Sequence, residues 1–461
     1  MARLLAVSHR REGGLVVVWG RRRIGKTRLL VEWVRKTGGV YTVADTSSSE
    51  IQRRYFALSV EARLPGFADV DYRDWTSLLS RLALEAKRNR WRGPIVIDEL
   101  PYLVLAAPEL PAVLQRWVDH EMRDAGLTVA LAGSSQRMMQ GVALSAGAPL
   151  FGRARELLEI GPLGAKFIPQ ALGRLSAVEV IENYGAWGGV PRYWELARDV
   201  RGGVRDRLAH LALDPLGPLH REPDRILFEE IPSAAEARPV LDAIGAGAHR
   251  VSEIAGRVGK PATSLSRPLD RLVEMGLVRR EVPFGASERS TKRSLYRIAD
   301  PFFRFWFRVV APNRGVLATS TAAGRKALIE RYFDALVALA WEELCRAALG
   351  GLNHPAALAK GGPWESAARW WKGNAPEWDV VALSADRSQV FLGEAKWSRR
   401  PIAKAKLDRM QAALMSRPRP GLGAAYSRAS EQRVLFVPQV TSRTRAARGG
   451  PIIVTAKDLI R

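Results

Sequence analysis

The sequence predicts a multidomain α/β protein, with a parallel-sheet domain first, then a helical stretch, a winged-helix module and a second α/β domain. Three observations predict it. The 461 residues exceed what one hydrophobic core organises, so about three domains are expected. Apolar strand-like runs alternate with helical periodicity over residues 1–161. Strand runs then disappear and return only from residue 378 onward, apart from two short ones near 277–298.

In chain order, residues 15–19 form a short buried-strand run, and 27–36 follow with Leu29, Leu30 and Trp33 at helical spacing. Residues 94–97 and 127–132 are further apolar strands, separated by a helix around 113–122. A helical region is expected over 162–234 and a winged helix over 235–300. An aromatic linker over 301–324 would then lead into a C-terminal domain over 325–461. That domain opens on a long helix (325–349) and carries strands at 378–383, 390–396, 434–437 and 452–454. The basic, Pro/Gly-rich stretches 416–423 and 441–450 are expected as exposed loops.

Composition narrows the class. Hydrophobic residues at 47% and charged residues at 26% describe a folded chain rather than a disordered one. Lys and Arg number 71 against 47 Asp and Glu, a formal net charge of +24. Such an excess favours polyanions, nucleic acid first and anionic membrane second; the alternative is Arg used heavily on solvated surfaces. Cys345 is the only cysteine, so no disulfide forms within the chain, which fits a reducing compartment. The opening MARLLAVSHRREGG has too short an apolar run for a secretory signal, and no stretch approaches the ~18 apolar residues that span a bilayer. A cytoplasmic protein without a membrane partner is expected.

GRRRIGKT fits the pattern G-x-x-x-x-G-K-[ST], with Gly20, Gly25, Lys26 and Thr27 at the defining positions. It follows an apolar strand and opens a helix, the context this phosphate-binding loop requires. Backbone N–H groups from Gly20 through Arg23, Ile24, Gly25 and Arg28 would wrap the phosphates, aided by the helix dipole. Lys26 would neutralise the β- and γ-phosphates, and the Thr27 hydroxyl would ligate Mg²⁺. PIVIDEL then sets Asp98 and Glu99 at the end of a strand. Asp98 would hold the magnesium through water and Glu99 would polarise the attacking water, giving hydrolysis of ATP to ADP and phosphate. LTVALAGSS ends in Ser134, which would either contact the γ-phosphate or its water, or begin the following helix as a cap. Arg153, in PLFGRARELLEI, is expected as an arginine finger or sensor, in cis or in trans; surface charge or a nucleic-acid contact is its alternative.

These segments, VVVWGRRRIGKTRLL, VIDELPYL, AGSSQRMMQG, PLFGRARELLEIGPL and WGGVPRYWE, occur in the order seen in the prokaryotic "archaeal ATPase" family, which the chain resembles over residues 12–200. That family belongs to the AAA+/STAND-related P-loop ATPases. The resemblance implies a nucleotide site with Lys26, Thr27, Asp98 and Glu99 in the roles above, and a helical lid after residue 162. Family members usually carry a longer N-terminal segment with an Arg-Glu motif. Here only residues 1–14 precede the first strand, so the adenine side of the pocket is expected to be incomplete or the start misassigned.

In the middle module, Ser252 is expected to cap a second helix, and ATSLSRPLDRLVEMG to form the third. In a helix-turn-helix the third helix enters the DNA major groove, making Thr263, Ser264, Ser266 and Arg267 candidate contacts. Arg289, Lys292 and Arg293, in the basic wing loop, would suit phosphates. Against this, Pro268 would interrupt that helix, and winged helices also mediate protein contacts.

The C-terminal stretch EWDVVALSADRSQVFLGEAKWS carries Asp379 on one strand and Glu394 and Lys396 on the next. Strand period two puts Glu394 and Lys396 on one face, where paired carboxylates and a lysine suit a second Mg²⁺ or Mn²⁺. Glu342 is a candidate third acid. The spacing resembles the PD-(D/E)XK nuclease-like core, and IADPFFRFWFRVVAPNRG resembles the linker to an uncharacterised C-terminal domain in a subset of these ATPases. The expected whole is a DNA-directed ATPase with a nuclease-like domain. Two alternatives stay open: a nucleotide-controlled signalling switch that assembles as a homo-oligomer or with protein partners, and an ATP-gated metal-dependent DNA nuclease.

Overall fold

A computed structural model describes residues 1–10, 12–230, 234–287, 293–350, 355–359, 361–423, 426, 429–441 and 450–460. The chain divides into two compact units, Met1–Pro162 and Leu163–Arg461.

The first unit is built on five strands: β1 (Gly14–Trp19), β2 (Val40–Val43), β3 (Ile95–Asp98), β4 (Thr128–Gly133) and β5 (Ala154–Glu159). They pair in the order β2-β3-β4-β1-β5, every pair parallel. β1, β3 and β4 read as unbroken apolar runs because a central parallel strand is covered on both faces. On one face, helix α1 (Ala2–Ser8) and helix α2 (Lys26–Thr37) bury Leu4, Val7, Leu30 and Trp33 against Val16, Val18 and Val96. The Trp33 indole N–H donates to the Ser8 hydroxyl at 2.8 Å, so the short N-terminal segment is used as packing for α2. Arg35 and Lys36 in the last turn of α2 suit its dipole, and Gly38 ends it in the left-handed region.

The second unit begins with short helices and α3 (Ala177–Trp187), capped by a Ser176–Glu179 box. Further helices between residues 191 and 230 lead to α4 (Ala234–Gly245), α5 (Val251–Val258) and α6 (Ser266–Glu274). A two-stranded antiparallel ribbon completes this segment, β6 (Val278–Glu281) with β7 (Leu295–Ile298). Leu241, Ile254, Leu265, Leu269, Leu272 and Leu277 form its core. Ser252 does not cap α5: the cap position is Arg250, two residues earlier, and the Glu253 side chain accepts from the His249 and Arg250 N–H groups at 2.8 and 3.1 Å. Pro268 does not interrupt the third helix either. It falls in the first turn of α6, where its missing N–H has no intrahelical partner to lose. Its ring opposes α-helix four residues back, and the chain there is a 3₁₀ turn, Ala262–Leu265.

The stretch expected as a linker is core. Asp300 caps it by accepting from Phe303 N–H at 3.0 Å, and Phe302, Phe303, Phe305 and Trp306 are fully buried. Phe302 stacks on Trp187 of α3, so the aromatic segment packs into the preceding helical region as well as joining the two segments it was expected to connect. Helix α7 (Ala322–Ala347) leads to β8 (Ala368–Trp370), β9 (Trp378–Leu383) and β10 (Gln389–Ala395). Helix α8 (Lys404–Ser416) crosses to β11 (Ser430–Phe436), followed by β12 (Ile452–Val454). This sheet has the order β12-β11-β10-β9-β8, with β8, β9 and β10 antiparallel and β10, β11 and β12 parallel. Among the described residues no helix is long and apolar enough to cross a membrane.

Candidate functional site

In the first unit, β1 lies between β4 and β5, and parallel pairing brings the C-terminal ends of β1, β3 and β4 to one sheet edge. This is the edge where ligands bind in such sheets. The loop after β1 turns sharply at Gly20, where φ is +145° and a Cβ would lie 2.2 Å from the Ile160 carbonyl oxygen. Gly25 enters α2 at φ +93°, and Arg23 between them is also left-handed at +69°. Ile24 is buried beneath the loop, while Thr27 and Arg28 lie exposed on the first turn of α2. Lys26 is only 5% exposed; its Nζ donates to the Gly20 and Arg21 carbonyls at 2.7 and 2.9 Å, clamping the charge across the loop.

The acidic pair meets this loop. Thr27 Oγ1 donates to Asp98 Oδ2 at 2.8 Å, and the Glu99 N–H donates to Asp98 Oδ1 at 2.9 Å. Glu99 itself has φ +54°, a conformation costing about 1–3 kcal/mol in a non-glycine residue and found mostly at functional sites. Its carboxylate accepts the Ser134 hydroxyl at 2.8 and 2.9 Å to its two oxygens. Ser134 is thus turned toward Glu99, while Ser135 occupies the cap position of the next helix without a side-chain bond.

Sequence reasoning missed Tyr41. Its hydroxyl donates to Asp98 Oδ2 at 2.8 Å, the same oxygen that Thr27 uses. Burial first, and the Asp98 charge second, push the phenol well above its ordinary range, so it remains a donor. The available signal was the run VYTV after Gly38-Gly39. Period two there sets Tyr41 on the face opposite buried Val40 and Thr42.

For Arg153 the placement expected in cis is corrected; the one in trans is untouched. Arg153 immediately precedes β5, and β5 runs parallel to β1 with Ala154 beside Leu15. Arg153 therefore lies at the N-terminal edge of the sheet, six residues of strand from the phosphate loop, on the order of 20 Å. Asp119 holds its guanidinium by two-pronged hydrogen bonds of 2.8–3.0 Å, which also lower the Asp119 carboxyl below its ordinary range. It cannot serve this chain's own site.

In the second unit, Asp379, Glu394 and Lys396 converge. Asp379 Oδ2 accepts the Ala395 N–H at 2.9 Å, and Lys396 Nζ lies 2.5 Å from Glu394 Oε1. Glu394, 5% exposed, is also paired with Arg417, a residue not anticipated because it follows α8 in the chain. Burial opposes ionisation of Glu394, yet the bonds from Arg417 and Lys396 hold its carboxyl below the usual range. Asp379 is pushed up to about 7, by burial first and then by the Glu342 and Glu394 charges. Glu342 itself pairs with Arg346 at 3.7 Å, and Arg346 donates to the Asp379 backbone carbonyl at 2.9 Å. The expected acidic metal cluster is not formed: among the described residues no group of three or more His, Cys, Asp or Glu is arranged to hold a metal ion. Two cations occupy Glu394 where a divalent ion was expected.

Thr263, Ser264, Ser266 and Arg267 are all exposed around the start of α6. With Lys260, three of them, Thr263, Ser264 and Arg267, line a cavity of about 510 Å³. Arg293 is exposed; Arg289 and Lys292 lie outside the described residues.

Fold and loop together define a parallel-sheet α/β core of the P-loop ATPase type. Residues 1–196 match the family described as "ATPase domain predominantly from Archaea". Residues 306–409 match the family described as "Archaea bacterial proteins of unknown function". An uncharacterised protein of Methanocaldococcus jannaschii is 27% identical over 386 residues, covering 83% of this chain and 82% of that one. Among solved structures, the Walker-type ATPase paby2304 of Pyrococcus abyssi is similar in fold, with a TM-score of 0.53 at 18% identity. That match covers 67% of this chain and 94% of the other.

Proposed function

We propose that the first unit hydrolyses ATP and that the second directs this hydrolysis to DNA. The observation that carries the hydrolytic half is the hydrogen bond from Thr27 to Asp98 beside the left-handed Glu99. Two hard oxygen donors in contact, next to a backbone loop that accommodates phosphates, fit Mg²⁺. Thr27 and Asp98 would hold the ion, which when bound supplies charge neutralisation at the β- and γ-phosphates. Lys26 exchanges its loop carbonyls for phosphate oxygens as substrate enters. Glu99 orients the attacking water and takes its proton. Ser134, bonded to both Glu99 oxygens, holds that carboxylate away from water until the site is filled. Tyr41 keeps Asp98 facing Thr27.

The DNA half rests on the +24 charge and on exposed Thr263, Ser264 and Arg267 at the head of α6. The segment of three helices and an antiparallel ribbon is read as a winged helix, with α6 entering a groove and Arg293 meeting phosphate. Duplex DNA should raise ATP turnover, and Lys26→Ala should remove basal and stimulated turnover alike. Equal rates with and without DNA would remove the DNA half while leaving the ATPase.

The order α7-β8-β9-β10-α8-β11 supports a nuclease-like fold for the C-terminal domain. Because Arg417 and Lys396 neutralise Glu394, we read this domain as a DNA-binding platform rather than a cleaving enzyme. Incubating plasmid with Mg²⁺ or Mn²⁺ separates the two. Cleavage by wild type that is lost in Asp379→Ala and Glu394→Ala would restore the nuclease.

A further inference from the structure

The second unit contains a cavity of about 240 Å³ where the end of α4, strand β7, the aromatic segment and α7 meet. Among the described residues its charged and titratable lining consists of Arg297, Arg304, Arg308 and His249, with no carboxylate; Leu336 and Leu339 of α7 supply an apolar wall. Arg304 is buried, with 9% of its side chain exposed. Its Nε and Nη2 donate to the Ile298 carbonyl, and Nη2 lies 2.5 Å from Glu343. Its Nη1 has no hydrogen-bond partner among the described residues. A buried guanidinium donor left unmade costs about 1–3 kcal/mol or more, so such groups ordinarily have a partner.

Local charge points the same way. Arg279, Arg297 and Arg304 share two carboxylates, Glu281 and Glu343, and Arg369 draws further on Glu281. Arg308, exposed at the mouth, donates to the Ala246 carbonyl at 3.0 Å and packs over the Tyr332 ring. Water would satisfy a single N–H but would not offset a cationic excess in a half-buried site.

We propose that this cavity is a binding site for a small organic anion, a phosphate or carboxylate group carried on an apolar body. The anionic group pairs with Arg308 at the mouth, in the field of Arg297 and buried Arg304, and the apolar body lies against Leu336 and Leu339. The volume admits a molecule of about ten heavy atoms, too small for a nucleoside triphosphate. Since α4 and β7 belong to the segment that carries α6, occupancy would stiffen that segment against α7.

The test uses the full chain carrying Lys26→Ala, so that the phosphate loop does not confound binding. Isothermal titration and thermal melting are run with phenyl phosphate, benzoate, inorganic phosphate and neutral benzyl alcohol. The expected result is saturable one-to-one binding of phenyl phosphate or benzoate, weaker binding of inorganic phosphate and none of benzyl alcohol. Leu339→Glu, which adds a like charge to the cavity wall, and Arg308→Ser should each weaken that binding at least tenfold, with circular dichroism unchanged. No saturable binding by any anion would overturn the site. So would equal binding in both variants, or effects that ionic strength alone reproduces.

Discussion

The two acidic constellations of this chain use similar residues and prepare them in opposite ways. At the phosphate loop, Asp98 and Glu99 are held by neutral hydroxyls, those of Thr27, Tyr41 and Ser134. A hydroxyl yields readily when a divalent ion or a water arrives, so both carboxylates keep their charge available. On β9 and β10, Glu394 is taken by two cations and Asp379 is driven toward its neutral form by burial first and then by the Glu342 and Glu394 charges. The spacing of acids along a strand does not tell these situations apart; the chemistry of their partners does.

The comparison breaks first at Lys26. Lys26→Ala should lower ATP affinity and turnover by at least about a hundredfold, read by nucleotide binding and phosphate release, because several charge-assisted bonds are lost together. Glu394→Ala should leave both unchanged. Next in size, Glu99→Gln should cut turnover roughly a hundredfold while ATP still binds, since only the general base is removed.

Much of this site was legible because it is local. Gly20 to Thr27 is contiguous, and the apolar runs ending at Asp98 and Gly133 announce strands whose ends must meet in a parallel sheet. Tyr41 was not legible because its partner Asp98 is set by the pairing of β2 with β3, which no local pattern reports. Arg153 misled for the complementary reason. It lies beside a strand in sequence, but at its N-terminal end, and only the parallel direction of β5 shows that this edge is far from the phosphates. At the C-terminus the strands were legible, period two put Glu394 and Lys396 on one face, and Asp379 on the neighbouring strand was expected to reach it. Arg417 did not, because α8 intervenes before the chain returns.

Two smaller effects sharpen the contrast. Tyr41→Phe should raise the Mg²⁺ concentration needed for half-maximal turnover by a few fold with little change at saturation, since it loses one hydrogen bond of about 0.5–1.5 kcal/mol. Asp379 gives a pH signature. Its folded pKa, about 7, exceeds the ordinary value of 3.8, so folding takes up protons between those values. Stability from this group is full below about pH 4 and is lost as pH rises through 7. In chelator-treated buffer, Asp379→Asn should therefore raise the melting temperature relative to wild type at pH 8 and change it little at pH 5.

The central claim is that Glu99, adjoining the Thr27–Asp98 contact, makes the phosphate loop a hydrolytic site and not only a binding site. Single-turnover hydrolysis of pre-bound ATP with Mg²⁺, in wild type and Glu99→Gln, tests it most directly. The account predicts equal ATP occupancy in both, with phosphate released by wild type and nearly none by the variant. Equal rates of phosphate release from the two would contradict it.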